Sequence, residues 1–275
     1  MKSLKQIATL TLALLWSCST SSSKTNESLI PVQVLLETSM GKIKIELSEH
    51  TPLHRDNFVK IVNEQGYDSL LFHRVINEFM IQAGDPESKY AEANTSLGSG
   101  DRDYKVPAEF HPDLYHLRGA VGAARDGNAE RASSAMQFYI VQRGPRPDSL
   151  INKDEKRING WVAEHFVKQD TSNAFLLDAI AVARETQDMG MYKWATDSIV
   201  TLADKANLPW YSIPEDQRQI YRTVGGTPHL DQNYTVFGQV IEGMDVVDAI
   251  AATETSDADR PVKDVRILTA RIIKE

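Results

Sequence analysis

The sequence predicts a mainly β domain, a barrel or a sandwich, that is interrupted by one block of helices. Many short runs of alternating apolar residues, separated by turn signals, favour strands. After Gly144 the apolar spacing becomes helical and stays so to about Tyr221. Because the strand pattern then resumes as if uninterrupted, we interpret residues 145–220 as a helical insertion between two parts of one β domain, residues 32–144 and 221–275.

Composition limits the classes of partner. The chain has 275 residues, of which 41% are hydrophobic, as is ordinary for a folded protein with a sizeable core. Its formal net charge is -8, so we do not expect nucleic acid or an anionic membrane surface as the main partner. Cys18 is the only cysteine, which excludes an internal disulfide.

The N-terminal segment has the parts of a secretory signal: two lysines, then an apolar run that is too short to span a bilayer, which needs about 20 residues. Its end, Leu15–Cys18, resembles the lipobox of bacterial lipoproteins, in which the cysteine carries the lipid. We therefore expect a signal peptide over residues 1–17, a lipid on Cys18, and a flexible Ser-rich and Thr-rich tether over residues 18–31. The expected location is the bacterial cell envelope, at the periplasmic or outer-membrane face. An ordinary signal peptide with an unmodified cysteine is the alternative.

Alternation and turn signals place the individual elements of the β domain. A helix is expected from Thr51, followed by Pro52, to about Glu64, because Pro is favoured in the first helical turn. A second, short helix is expected over Asp245–Ala251. The predicted strands are Val32–Leu36, Ile43–Leu47, Leu70–Phe72, Met80–Gln82, Gly119–Ala124, Met136–Val141, Tyr234–Val240 and Val265–Ile273.

The helical block carries apolar residues at helical spacing and is rich in aromatic residues. Three of the four tryptophans, Trp161, Trp194 and Trp210, lie in it. Two interpretations stay open: a structural cap without chemistry of its own, or a lid that binds substrate or a partner.

The stretch Phe72–Asp85 combines a guanidinium, a primary amide and large apolar side chains. No acid–base pair, thiol or metal cluster stands beside them, so the stretch suits binding and polarising a peptide, not cleaving one. Alternation places His73 on the face opposite to Arg74, which predicts a structural role for the histidine. His54, His111 and His116 lack the spacing of metal ligands, and we expect no metal site.

Three separated motifs, Phe72–Asp85, Met136–Ile140 and Thr227–Val240, resemble those of the cyclophilin family of peptidyl-prolyl isomerases, in the same order. The resemblance implies a closed eight-stranded antiparallel barrel with a helix over each open end. It also implies isomerase activity on X-Pro bonds, proline-containing polypeptides as partners, and no cofactor.

Site residues follow from the resemblance position by position. Arg74 matches the catalytic arginine, and Gln82 matches the amide that orients substrate and arginine. The remaining matches imply a substrate-binding set of Phe79, Met80, Ala124, Arg125, Gln137, Tyr139, His229, Leu230 and Tyr234. Tyr234 replaces a histidine, His229 a tryptophan and Arg125 an asparagine that are common in the family.

The chemistry of these side chains fits the implied reaction. Rotation about an X-Pro bond must break amide resonance, so the prolyl nitrogen gains a lone pair that a guanidinium can bind more strongly than the planar amide. A rival hypothesis is a non-catalytic peptide-binding or assembly module that uses the helical insertion. A third, weaker one is a chaperone that holds unfolded chains there.

Overall fold

The computed structural model describes residues 31–93 and 95–273. The predicted signal peptide, Cys18 and nearly all of the predicted tether therefore lie outside the described residues. Among the helices that are described, none has the length and apolar character that a membrane span requires.

Eight strands form one curled antiparallel sheet, and two further strands form a small ribbon. Numbered in chain order, the strands are β1 (Gln33–Thr38), β2 (Gly41–Leu47), β3 (Phe72–Ile76), β4 (Met80–Ala83), β5 (Lys105–Val106), β6 (Ala120–Ala123), β7 (Ser133–Ser134), β8 (Phe138–Val141), β9 (Val236–Glu242) and β10 (Ile267–Ile273). The order in the large sheet is β10-β1-β2-β9-β6-β8-β4-β3, and β5 pairs with β7. Strands from both sequence regions that flank the helical block thus share one sheet, with β9 between β2 and β6 and β10 beside β1.

The prediction of a closed barrel is wrong. Among the described residues, β10 and β3 are the edge strands, and the contact between their ends is an isolated bridge from Leu71 to Arg266. Beyond this bridge the chain that leads into β10 lies beside β3 as a loop, where the Val75 amide donates to the Asp259 carbonyl at 2.8 Å. The sheet is a half-barrel because a loop, not a strand, covers the outer edge of β3.

Two helices pack against the half-barrel. Helix α1 (Pro52–Asn63) begins with the predicted proline, and α6 (Met244–Ala251) lies close to its predicted range. Phe58 and Ile61 of α1 join Val247 and Ile250 of α6 in the main apolar core, together with the inward residues of the strands. Their burial stabilises the fold because each large apolar side chain removed from water contributes about 1.5–3 kcal/mol.

Four more helices run in succession between β8 and β9. They are α2 (Asp148–Lys168), α3 (Ala174–Glu185), α4 (Met189–Lys205) and α5 (Glu215–Thr223). Helices α2, α3 and α4 share an apolar cluster that includes Val167, Leu176 and Ile199. A second cluster joins α2 to α5 through Ile158 and Tyr221. The exact boundaries of a separate helical insertion stay a prediction.

His73 is buried on the reverse side of β3, while Arg74 beside it is exposed. Neither ring nitrogen of His73 has a hydrogen-bond partner among the described residues. The pKa of His73 is lowered to about 4, chiefly by burial; Asp85 opposes this shift, and the nearby cations Arg74 and Arg260 add to it. The folded state therefore holds a neutral imidazole.

We expect acid to destabilise the fold through His73. In the unfolded chain this residue takes up a proton near pH 6.5, whereas the folded ring resists protonation down to about pH 4, so stability is lost as the pH falls between these values. Of the loss in unfolding free energy that urea unfolding shows between about pH 7.5 and about pH 5, His73 should account for on the order of 1–2 kcal/mol. The variant His73→Phe should lose less unfolding free energy over this pH range than the natural chain. The control His111→Gln should lose as much as the natural chain. Equal pH dependence in His73→Phe and the natural chain would contradict the depressed pKa.

Candidate active site

A cavity of about 160 Å³ lies on the face of the sheet opposite to the main apolar core. Its lining consists of Arg74, Phe79, Met80, Gln82, Ala124, Arg125, Tyr139, Leu230 and Tyr234. All nine belong to the predicted site. Of the other two predicted substrate-binding residues, Gln137 bonds to Gln82 and His229 stacks on Phe79, so both lie directly behind the wall.

Strand register explains why these side chains meet. Arg74 on β3 is paired with Gln82 on β4, Gln82 with Tyr139 on β8, and Tyr139 with Gly122 on β6. Directly paired residues point to the same face of a sheet, so the row crosses four strands on one surface. Gly122 is required at its end, because a Cβ there would lie 2.4 Å from Cζ of Tyr139.

The guanidinium of Arg74 stands at the edge of the cavity. Its side chain is 45% exposed, and its Nε lies 3.4 Å from Oδ2 of Asp259. Such a half-exposed pair is weak, so it orients the guanidinium without consuming its charge. Asp259 is absent from the predicted site, and no local signal marks it, since it lies 185 positions further along the chain.

A chain of amides fixes Gln82. Its Nε2 donates to Oε1 of Gln137 at 3.0 Å, and Nε2 of Gln137 donates to the carbonyls of Gly98 (2.9 Å) and Gly100 (2.7 Å). Gln137 is buried, so these bonds are shielded from water. The network uses the amide donor of Gln82 and leaves its carbonyl oxygen available as an acceptor in the cavity.

The apolar walls are Phe79, Met80 and Leu230, which pack in one cluster with Tyr139. His229 stacks on Phe79 with ring centroids 5.6 Å apart and an interplanar angle of 23°. Burial, then the cation Arg157, lowers the pKa of His229 to about 3, so the ring is neutral at ordinary pH. It therefore supports the apolar wall from behind without adding a charge.

The hydroxyl of Tyr139 begins a buried polar chain that the sequence prediction missed. It lies 2.8 Å from Nε2 of His116, whose Nδ1 lies 2.7 Å from Oδ1 of Asp231. Tyr221, on α5, donates its hydroxyl to Oδ2 of Asp231 at 2.6 Å. All four residues are buried. The back wall of the cavity is thus hydrogen-bonded, through two intermediates, to the helical segment.

Within residues 31–93 and 95–273, one group of possible metal ligands lies away from the cavity. His50, His111 and Asp113 bring ligand atoms within 4.8 Å of one another. The two imidazoles are stacked, with centroids 4.1 Å apart and planes within 8° of parallel. Nitrogen lone pairs lie in the ring planes, so stacked rings do not converge on one ion. Of the other candidates, His54 bonds to Glu109 at 2.7 Å and His116 to Asp231. The expectation of no metal site stays a prediction.

Comparison with known proteins places this site in a family. The family model for cyclophilin type peptidyl-prolyl cis-trans isomerases matches residues 33–163 and 213–272. A protein of Staphylococcus saprophyticus, provisionally named a peptidyl-prolyl cis-trans isomerase, is 28% identical over 246 residues, which are 88% of this chain and 92% of that protein. A Streptococcus pyogenes protein, provisionally named a bifunctional phosphatase/peptidyl-prolyl cis-trans isomerase, is 30% identical over 243 residues, which are 87% of this chain but only 38% of that protein.

The fold has a solved counterpart as well. A cyclophilin type peptidyl-prolyl cis-trans isomerase of Cryptosporidium parvum superposes with a TM-score of 0.54 at 17% identity, over 90% of this chain and 99% of that one. The same parasite protein has a crystal structure in the presence of the dipeptide Ala-Pro, with a TM-score of 0.50.

The half-barrel and its cavity thus define a peptide-binding enzyme of the cyclophilin class. The chain belongs to the cyclophilin-type peptidyl-prolyl cis-trans isomerase family, whose members bind proline-containing peptides. The family model leaves residues 164–212 unmatched, which include the end of α2 and all of α3 and α4.

The buried polar chain gives a prediction about Tyr221. Replacing Tyr221 by Phe removes one donor from the buried carboxylate of Asp231, which should lower the free energy of unfolding by about 1–3 kcal/mol. Isomerase activity should fall by less than about tenfold, because His116 still holds Tyr139. Urea unfolding and a proline-peptide assay measure the two effects.

Tyr90→Phe is the matched control, because Tyr90 is 86% exposed and the same substitution there should change neither quantity. If Tyr221→Phe were as stable as the natural chain, the bond to Asp231 would contribute nothing to the fold.

Proposed function

We propose that the protein accelerates rotation of X-Pro bonds in exported polypeptides, with Arg74 stabilising the twisted transition state. The carrying observation is one cavity that places a guanidinium and an amide beside three apolar walls. Its lining residues include no serine, cysteine or carboxylate, so the site is equipped to bind and polarise, not to form a covalent intermediate.

The reaction requires only differential binding. The unaided barrier is about 18–20 kcal/mol because amide resonance must be broken. As the bond twists, the prolyl nitrogen becomes pyramidal and its lone pair can accept a hydrogen bond from Arg74. The planar substrate offers a weaker acceptor, so the bond to Arg74 strengthens in the transition state and lowers the barrier.

The remaining lining residues hold one end of the rotating bond. Phe79, Met80 and Leu230 would grip the proline ring, while Gln82 would hold the peptide through its free carbonyl oxygen. One side of the bond is then fixed while the other turns, which is the role that positioned binding groups play in catalysis.

The proposal includes a lipid anchor on Cys18, which the sequence alone supports. An acylated cysteine followed by a polar tether would hold the enzyme at a bacterial membrane, where exported chains emerge. Stable anchoring needs more than one acyl chain, and the proposed chains are all attached at Cys18. Loss of this cysteine should therefore abolish membrane attachment. Cell fractionation should find the natural protein with membranes and Cys18→Ser in the soluble fraction; equal membrane association would refute the anchor.

An assembly or client-binding module is the second candidate. Its support is a group of exposed apolar side chains on α3 and α4: Phe175 is 55% exposed, Met189 71% and Trp194 52%. Large apolar side chains exposed to water on a helical segment can form part of an interaction surface. An enzyme that binds clients there would combine both functions.

The decisive variant is Arg74→Ala. Removing a donor that acts only in the transition state should lower kcat/KM by about 10²–10³-fold, and Arg74→Lys should recover only part of it because lysine lacks the planar fork. The measurement is cis-to-trans conversion of a proline tetrapeptide by the full chain in mild detergent.

Arg102→Ala is the control, because Arg102 is a half-exposed arginine that pairs with Glu64 outside the cavity. If Arg74→Ala is as fast as the natural chain, the role of Arg74 is wrong. If the natural chain itself gives no acceleration, the enzyme proposal fails, and binding of the same peptide then tests the second candidate.

A further inference from the structure

A second cavity adjoins the first and shares two of its lining residues. It measures about 310 Å³, and Arg125 and Tyr234 line both cavities. Its opposite wall is formed by Trp161 and Lys168 of α2 and by Arg184 of α3. The two cavities therefore adjoin at Arg125 and Tyr234, within reach of a single extended peptide.

The groove is rich in positive charge although the chain is acidic. Arg125, Arg131, Lys168 and Arg184 line it, against one carboxylate, Glu164. Within the described part of the chain, none of the four cations forms an ion pair. Most other arginines on this molecule do pair, so the groove concentrates unpaired cations in a protein whose net charge is -8.

Three of these cations are held in place by neutral groups. Arg125 donates Nε to the carbonyl of Asn233 at 2.8 Å and lies over the ring of Tyr234, with Cζ 5.1 Å from its centroid. Arg131 donates to the carbonyl of Gln232 at 2.6 Å. Arg184 lies 5.6 Å from the ring centroid of Tyr192. Carbonyls and ring faces orient the guanidinium groups but leave their charge uncompensated.

The electrostatic neighbourhood is consistent with this. Burial, then the charges of Arg131 and Lys168, lowers the pKa of His165, which also lines the groove. Burial and the charge of Arg125 lower the pKa of Arg131. Where neighbouring cations repel one another, a bound anion relieves the repulsion and its binding is therefore favourable.

The groove also lies partly in residues that the family model does not match. Lys168 and Arg184 fall within the unmatched residues 164–212, whereas Arg125 and Tyr234 fall within the matched ones. The groove is thus built between the half-barrel and helices that lie partly outside the match to the family model.

We propose that this groove binds acidic side chains of the polypeptide whose X-Pro bond occupies the first cavity, so that the enzyme prefers clients with aspartate or glutamate near the proline. The inference rests on the proposed function, since it needs the proline to be seated beside Arg74. Guanidinium and ammonium groups pair well with carboxylates, and an extended peptide brings successive side chains along the groove.

The test uses short peptides with one X-Pro bond and two glutamates placed before or after the proline, and matched peptides with glutamine instead. Rates are measured by NMR exchange and dissociation constants by fluorescence anisotropy, with the full chain in mild detergent. We expect at least one glutamate series to show a roughly 3- to 10-fold higher kcat/KM than its glutamine match, mainly through KM. The advantage should shrink between about 0.02 M and about 0.3 M salt because exposed charges are screened.

Two double variants locate the effect. Lys168→Gln with Arg184→Gln should abolish the preference, while Lys153→Gln with Lys156→Gln, a matched pair of exposed lysines on α2 outside the groove, should retain it. The glutamine peptides should react at the same rate with all three proteins. Because both double variants make the chain more acidic by the same amount, a difference between them cannot arise from net charge.

The proposed role of the groove is wrong if the natural chain shows no preference for the glutamate peptides. It is also wrong if both double variants lose that preference equally. Failure of the proposed function looks different: no peptide would be accelerated. In that case the anisotropy data still decide, because tighter binding of glutamate peptides that depends on Lys168 and Arg184 would support the groove, and equal binding would refute it.

Discussion

The orientation of Tyr139 is the constraint on which the cavity depends. Its ring lies over Gly122, where any Cβ would collide with it, and its hydroxyl is bonded to His116. In that position the ring forms the back wall between Gln82 and Leu230, and it meets Tyr234 edge to face at 6.1 Å. A phenylalanine could pack there without a partner, but a buried tyrosine hydroxyl requires one, so this side chain ties the site to the polar interior behind it.

That interior leads directly into the helices between β8 and β9. Asp231 accepts from Tyr221 of α5, and the carbonyl of Tyr221 accepts from the amide of Arg146, which follows β8. The side chain of Arg146 forms a buried ion pair with Asp154 of α2 at 2.6 Å, and Asp154 lies near His229 at the cavity wall. Removing one member of such a buried pair lowers the free energy of unfolding by about 3–5 kcal/mol. The helical segment is therefore fastened to the site at both of its ends, and is not a loosely attached addition.

The cavity residues could be predicted because three separated motifs resemble those of the cyclophilin family, and the resemblance assigns each position. The structure agrees with strand alternation where residues are two apart, as with Met80 and Gln82 on β4. Features that depend on contacts between distant segments of the chain could not be predicted. The strand before Asn77 was expected to end at Phe72 yet continues through Arg74 to Ile76, and the edge beside it is covered by the loop of Asp259, which leaves the sheet open. His116 was considered only as a metal ligand, because nothing local reveals that Asp231 and Tyr139 lie on either side of it.

The placement of charge follows from the chemistry assigned to Arg74. A guanidinium that must bind a developing lone pair becomes a poorer donor if a substrate carboxylate pairs with it first. A chain with net charge -8 also repels acidic clients at long range. Cations on α2 and α3, screened over about 8–10 Å, would attract and hold client carboxylates away from Arg74. If Arg74 acts on the bond as proposed, binding of client carboxylates to the cations of α2 and α3 would let the site accept acidic sequences without losing its donor.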